Sequence, residues 1–124
     1  MNVTKILFVE DNKDIVSFLQ TLLNSTYQLE VAHDGKEGIQ MAFELIPDII
    51  ISDVMMPEIS GLELTSTLKT DERTSHIPII LLTAKASEID KMEGLRHGAD
   101  AYLLKPFNKE ELMLRLGNLL TLKQ

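Results

Sequence analysis

The sequence predicts a parallel β-sheet covered by helices on both faces, and three patterns support this prediction. Short apolar runs without polar alternation recur along the chain, helical apolar stripes lie between them, and capping residues stand at the helix starts. Together these patterns give five strands in strict alternation with five helices. Such an alternation requires parallel strands joined by right-handed crossovers.

Five apolar runs are predicted to form the strands. They are ILFV (6–9), IIIS (49–52) and IILL (79–82), with weaker runs at YQLEVA (27–32) and AYLL (101–104). A strand inside a parallel sheet is buried on both faces, so its apolar residues need not alternate with polar ones. These runs therefore indicate strands that lie between two layers of helices.

The segments between the runs have the features of helices. The clearest apolar stripe comprises Ile15, Phe18, Leu19, Leu22 and Leu23, and the last helix, at about 108–121, directs Leu112, Met113, Leu116, Leu119 and Leu120 inward. Four helix starts carry a capping pair: Asp34 and Glu37, Ser60 and Glu63, Ser87 and Asp90, and Asn108 and Glu111. The first member of each pair accepts a hydrogen bond from a free helix N–H, and the second faces the positive end of the helix.

Composition restricts the class of protein. A chain of 124 residues, 44% hydrophobic and 25% charged, suits one globular domain over residues 1–124. The net charge of −7 disfavours direct binding to nucleic acid or to an anionic membrane. The chain has no cysteine and no run of eighteen apolar residues, and its first residues lack the flanks of a signal peptide. We therefore expect a cytoplasmic protein.

Reactive polar residues stand at the ends of four predicted strands. Glu10 and Asp11 follow the first strand, Asp53 ends the third, Thr83 ends the fourth and Lys105 follows the fifth. The carboxyl ends of parallel strands meet at one edge of the sheet, where ligands bind in folds of this type. Three carboxylates, a hydroxyl and an ammonium group are therefore predicted to share one pocket.

This set of groups suits metal-assisted phosphoryl transfer. Neighbouring carboxylates repel one another, and a hard divalent cation such as Mg²⁺ relieves the repulsion. Mg²⁺ takes few carboxylates and so keeps room for a phosphoryl oxygen. Lys105 and the Thr83 hydroxyl would hold two further phosphoryl oxygens. Asp53 is then predicted to be the nucleophile, forming an aspartyl phosphate.

The combined motif points to a known family. The residues Glu10-Asp11, Asp53, Thr83-Ala84 and Lys105-Pro106, in this order and spacing, resemble the receiver domain of bacterial two-component response regulators. DVMMPEISG (53–61) is similar to the loop that follows the phosphoacceptor in that family, and GADAYLLKPF (98–107) is similar to its fifth strand. The resemblance covers essentially the whole chain.

The resemblance implies a flavodoxin-like fold of strand order 2-1-3-4-5 and a metal-dependent phosphoacceptor. Asp53 would take the phosphoryl group from the phosphohistidine of a histidine kinase. Mg²⁺ would be held by Asp11, Asp53, the Met55 carbonyl and, through water, Glu10. Such a domain assists its own phosphorylation and dephosphorylation, but it acts as a switch rather than as an enzyme.

The resemblance also implies how the switch operates. Thr83, Ala84 and Lys105 would contact the phosphoryl group, and the Lys105–Pro106 bond would be cis. Thr83 would move toward the phosphoryl group while Tyr102, on the fifth strand, turns inward. The signal would pass to an output domain, or to a homodimer formed through the face of the fourth helix, fifth strand and fifth helix. In addition, the terminal GNLLTLKQ (117–124) keeps leucines at helical spacing, which hints at a longer parent in a phosphorelay, such as a hybrid histidine kinase or a regulator with a DNA-binding domain.

Two other functions compete with the switch. The first is a Mg²⁺-dependent phosphohydrolase with an aspartyl nucleophile, a class in which the nucleophile lies in a D-x-D pattern. This chain has Asp53-Val54-Met55 and lacks the second acid. An interaction module that is never phosphorylated would be expected to lose one of the pocket residues, and none is lost. His33, His76 and His97 have no metal-ligand spacing and are predicted to be surface residues.

Overall fold

Five parallel strands form one sheet in the computed structural model, which describes residues 3–87, 89 and 98–122. The strands are β1 (Lys5–Val9), β2 (Gln28–Ala32), β3 (Ile49–Asp53), β4 (Ile79–Thr83) and β5 (Ala101–Leu104). Their order across the sheet is β2-β1-β3-β4-β5, and every neighbouring pair is parallel. The predicted fold class and strand order are confirmed.

Four helices are defined among the described residues, where the sequence predicts five. They are α1 (Lys13–Leu23), α2 (Gly35–Leu45), α3 (Gly61–Lys69) and α4 (Lys109–Leu122). The helix predicted to begin at Ser87 lies largely outside the described residues, so α4 is the fifth helix of the predicted count. Among the described parts of the chain, no helix has the length and apolar character needed to cross a membrane.

Two apolar layers enclose the sheet. On one face, Leu7, Val9 and Ile50 pack with Ala42 of α2 and Leu64 of α3. The other face is lined by alternate residues of the same strands, including Ile6, Phe8 and Ile49, which pack with Leu19 of α1 and Leu112 of α4. Because successive side chains point to opposite faces, both sets must be apolar, which explains the runs without alternation.

Helix caps define where the helices begin after the strand ends. Asp34, Ser60 and Asn108 each accept a hydrogen bond from the backbone N–H three residues later, at 2.8, 3.2 and 2.7 Å. Asn12 caps α1 by accepting from the N–H groups of Asp14 and Ile15. Asp90, the partner predicted for Ser87, lies outside the described residues. Since Asn12 supplies the cap of α1, Glu10 and Asp11 are not needed as cap residues.

Phe18 departs from the predicted inward stripe of α1. Its side chain is 48% exposed, whereas Leu19 and Leu23 of the same stripe are fully buried. The Phe18 ring instead faces that of Phe107, with ring centroids 6.1 Å apart. Only part of the apolar stripe of α1 faces the sheet. Phe18 stands at the edge of the stripe and lies beside Phe107, in the segment after β5.

Candidate functional site

The three predicted carboxylates converge at the carboxyl edge of the sheet. Oxygen atoms of Glu10, Asp11 and Asp53 all lie within 4.8 Å of one another. Glu10 and Asp53 are buried, at 1% and 7% exposure, while Asp11 faces solvent. Buried carboxylates this close repel one another unless a cation neutralises them. The pocket therefore favours positive charge.

Lys105 supplies one such positive charge. Its Nζ lies 3.0 Å from Oε1 of Glu10 and 3.1 Å from Oδ1 of Asp53. The backbone N–H of Lys105 donates to the carbonyl of Thr83 at 2.7 Å, which fixes the start of the side chain beside β4. The Lys105–Pro106 bond is cis, as the resemblance implied. The sequence placed Lys105 in this pocket but gave no sign of its contact with Glu10.

The close contacts among these buried charged groups shift the pKa values of Lys105 and Glu10. Burial alone lowers the pKa of Lys105, but hydrogen bonds to Glu10 and Asp53 outweigh it, so the pKa of Lys105 lies above its ordinary value. Burial raises the pKa of Glu10, and the charge of Asp53 raises it further, against the hydrogen bond from Lys105. The ammonium group therefore stays protonated and holds the two buried carboxylates together.

Thr83 and Ala84 lie beside this cluster. Thr83 is buried at the end of β4, next to Leu82, which pairs with Asp53 across the sheet. Its Oγ1 accepts a hydrogen bond from the N–H of Lys85 at 3.3 Å. Ala84 is exposed and lines an open groove of about 480 Å³ with the segment 105–107 and α1. The fourth strand end thus reaches the same edge as the other three.

Met55 and Tyr102 occupy the borders of the site. Met55 stands two residues after Asp53 in the loop to α3, with a side chain that is 63% exposed. Tyr102 is partly buried on β5 and packs against the apolar layer beneath α2 and α3. His33 and His76 are exposed, as predicted, and His97 lies outside the described residues.

The backbone after Asp53 is held at several points. The N–H of Val54 donates to the carbonyl of Leu82 at 2.9 Å, and the carbonyl of Val54 accepts from the N–H of Gly61 at 3.0 Å. The hydroxyl of Ser52 donates to the carbonyl of Asp53 at 3.0 Å. Ser52 is not among the predicted site residues, although a single polar residue after three isoleucines is a signal that could have identified it.

A family match covers most of the chain. Residues 6–117 match the response regulator receiver domain, a span that includes every residue of the pocket. The chain belongs to this family. It is therefore a receiver domain of two-component signalling, a class of signalling switch rather than of conventional enzyme.

Relatives of the receiver domain include both histidine kinases and response regulators. Over 115 residues it is 49% identical to Histidine kinase P4 of Formosa agariphila, covering 93% of this chain and 8% of that protein. Over 118 residues it is 40% identical to the response regulator ArlR of Staphylococcus saprophyticus, covering 94% of this chain and 52% of that protein. The receiver domain thus spans a small part of the first relative and about half of the second.

A solved structure with the same fold contains a metal ion. The receiver domain of the sensor histidine kinase PA1611 from Pseudomonas aeruginosa PAO1 superposes with a TM-score of 0.88 at 30% identity, covering 97% of this chain and 99% of that one. In that structure a magnesium ion is coordinated in the active site cleft. The two receiver domains thus share one fold.

Proposed function

We propose that residues 1–124 form one receiver domain that accepts a phosphoryl group on Asp53 from the phosphohistidine of a histidine kinase. The observation that carries the proposal is the convergence of Glu10, Asp11, Asp53 and Lys105 on one pocket. Asp53 ends a fully buried strand, so its carboxylate is attached to a rigid element. A phosphodonor can reach this edge because Asp11 is exposed to solvent.

The donor set suits Mg²⁺. Three carboxylate oxygens within 4.8 Å of one another match the oxygen ligands and the spacing that a hard divalent cation requires. Asp11 and Asp53, with the Met55 carbonyl, would hold the ion directly, and Glu10 would hold it through water. When bound, Mg²⁺ neutralises charge on the transferring phosphoryl group. The magnesium ion in the cleft of the PA1611 receiver supports this assignment.

The residues of the pocket have separate roles in the transfer of the phosphoryl group. A carboxylate oxygen of Asp53 attacks phosphorus and forms an O–P bond, while the P–N bond of the phosphohistidine breaks and its electron pair returns to the imidazole ring. Lys105, already 3.1 Å from Asp53, would pair with one phosphoryl oxygen. Thr83 and the backbone at Ala84 would hold another. Loss of the Asp53 charge frees Lys105 to make this contact.

The phosphoryl group would then act as a signal. Movement of Thr83 toward it would open space for Tyr102, which is already partly buried behind β4. The surface formed by β5, α4 and the helix predicted before them would change and would contact an output domain or a second copy of the chain. Relatives of both kinds, a histidine kinase and a response regulator, support such coupling.

Mass spectrometry with acetyl phosphate tests the proposal. Incubation with acetyl phosphate and Mg²⁺ should add one phosphoryl group that hydroxylamine removes, because hydroxylamine cleaves acyl phosphates. Asp53→Asn should abolish the adduct and leave the fold intact. Omission of Mg²⁺, or Asp11→Ala, should slow its formation. Ser60→Ala is the matched control, since this partly exposed residue caps α3 and is not one of the proposed pocket residues.

Three outcomes would contradict the proposal. One is an adduct that resists hydroxylamine, and another is an adduct that persists in Asp53→Asn. The third is rapid release of phosphate from many substrates, which would favour the phosphohydrolase. In contrast, transfer from a phosphorylated histidine kinase domain to Asp53 alone would support the signalling role directly.

A further inference from the structure

A serine lies in the centre of the sheet where an apolar residue would be expected. Ser52 has 0% exposure and follows three isoleucines in β3, which is buried along its whole length. Burying a hydroxyl disfavours folding unless it forms a hydrogen bond. None of the roles described above uses this hydroxyl.

The Ser52 hydroxyl holds the peptide group that joins Asp53 to Val54. It donates to the carbonyl oxygen of Asp53 at 3.0 Å. The N–H of the same peptide group, on Val54, donates to the carbonyl of Leu82 at 2.9 Å. Both polar ends of this peptide are therefore bonded, one to a side chain and one to the neighbouring strand.

Gly61 lies against the carbonyl oxygen of Asp53. A Cβ atom at Gly61 would collide with the carbonyl oxygen of Asp53 and would lie 3.0 Å from Cα of Val54. The N–H of Gly61 also donates to the carbonyl of Val54 at 3.0 Å. The start of α3 thus packs directly on the backbone after Asp53, and the peptide has little room to rotate.

We propose that Ser52 is a positioning residue, which fixes the Asp53–Val54 peptide so that the Asp53 carboxylate and the Met55 carbonyl face the same Mg²⁺. This inference rests on the function proposed above. Rotation of that peptide changes the path of the chain to Met55, two residues away, and so separates two of the proposed ligands. An apolar residue at position 52 would leave the peptide without this bond.

Ser52→Ala tests the inference because it removes one oxygen atom and adds no bulk. Isothermal titration with Mg²⁺ should show a dissociation constant roughly three- to tenfold higher than in the wild type, the range expected for one lost hydrogen bond. In metal-free protein, hydrogen exchange at the amide of Val54 should be faster. Ser52→Thr, which keeps the hydroxyl, should restore Mg²⁺ binding to within about twofold of the wild type.

Thr74→Val is the matched control. Thr74 is also fully buried, and its hydroxyl donates to the carbonyl of Leu68 at 2.6 Å, in the segment before β4 at the opposite edge of the sheet. This variant should lose thermal stability as Ser52→Ala does, but it should bind Mg²⁺ like the wild type. A merely structural role for Ser52 predicts that the two variants behave alike.

The outcomes separate this inference from the proposed function. If Ser52→Ala binds Mg²⁺ as the wild type does and gains the phosphoryl group at the same rate, the positioning role is wrong and the proposed function stands. If the wild type itself neither binds Mg²⁺ nor gains a phosphoryl group, both are wrong. A raised dissociation constant in Thr74→Val as large as that in Ser52→Ala also overturns the positioning role.

Discussion

The ammonium group of Lys105 lies 3.1 Å from Oδ1 of Asp53, the carboxylate proposed to accept the phosphoryl group. The same group also binds Glu10. Lys105 therefore contacts two of the three carboxylates that would hold Mg²⁺, and its single charge offsets part of theirs. Because like charges repel, this lysine and a bound metal ion would oppose each other in the pocket before phosphorylation.

Removal of the lysine charge should tighten metal binding. We expect Lys105→Ala to bind Mg²⁺ about fivefold more tightly, since two unit charges 4 Å apart interact by about 1 kcal/mol even in water. Isothermal titration measures the change. The same variant should be phosphorylated more slowly by acetyl phosphate, because it lacks the partner for a phosphoryl oxygen.

Lys69→Ala provides a matched control for Lys105→Ala. Its side chain is also 18% exposed and forms an ion pair of 3.0 Å, with Asp100, at the opposite edge of the sheet. We expect Lys69→Ala to lose stability without altering Mg²⁺ affinity. Weaker metal binding in Lys105→Ala would show that the lysine organises the carboxylates more than it repels the ion.

Two glycines in helices should respond oppositely to substitution by alanine. A Cβ at Gly117 in α4 meets nothing within 4 Å, so Gly117→Ala should stabilise the protein by about 1 kcal/mol through helix propensity. A Cβ at Gly38 in α2 would lie 2.8 Å from Cγ2 of Val9, so Gly38→Ala should destabilise it by about 1–3 kcal/mol. Urea unfolding measures both. Equal effects from the two variants would contradict this reading of the packing.

Ile46 is strained at the end of α2. This β-branched residue has φ of 44°, in the left-handed region. That backbone conformation destabilises residues other than glycine by roughly 1–2 kcal/mol. Ile46→Gly should therefore raise the free energy of unfolding by about 0.5–1 kcal/mol after the larger backbone entropy of glycine is counted. Ile46→Ala, which keeps the Cβ, should bring no such gain in thermal unfolding. A stability gain in the alanine variant as large as that in the glycine variant would exclude strain as the cause.

Asp71 and Arg73 form a surface pair with a definite pH dependence. Hydrogen bonds from the Arg73 side chain and backbone lower the pKa of Asp71 from 3.8 to about 2. A lowered pKa in the folded state stabilises the protein above pH 3.8, and this contribution is lost as the pH falls through about 2. The difference in unfolding free energy between the wild type and Asp71→Asn should therefore shrink from pH 6 to pH 2. A constant difference, or one that grows on acidification, would contradict the assignment.

The strand ends were predictable from the sequence, because parallel strands must present their carboxyl ends at one edge. That rule alone predicts that Glu10, Asp53 and Lys105 lie close together. Three of the four predicted helix caps are also confirmed, since capping depends on contacts only three residues apart.

Contacts set by three-dimensional packing were not predictable. The ion pair of Lys105 with Glu10 depends on the direction of a long side chain, which sequence spacing does not define. Phe18 follows the helical period yet is exposed, because the position of α1 on the sheet decides which part of its stripe is covered. The left-handed backbone at Ile46 was not predictable from residue type, because that conformation is usually adopted by glycine or asparagine.

The bond between Lys105 and Glu10 joins residues 95 positions apart. A chain emerging from the ribosome therefore releases its first carboxylates long before the lysine that neutralises them. An incomplete polypeptide ending before β5 would carry Asp53 without this counter-charge and without the edge strand beside β4. Competence to receive a phosphoryl group would thus appear only after β5 and Lys105 have been made and have paired with the earlier strands.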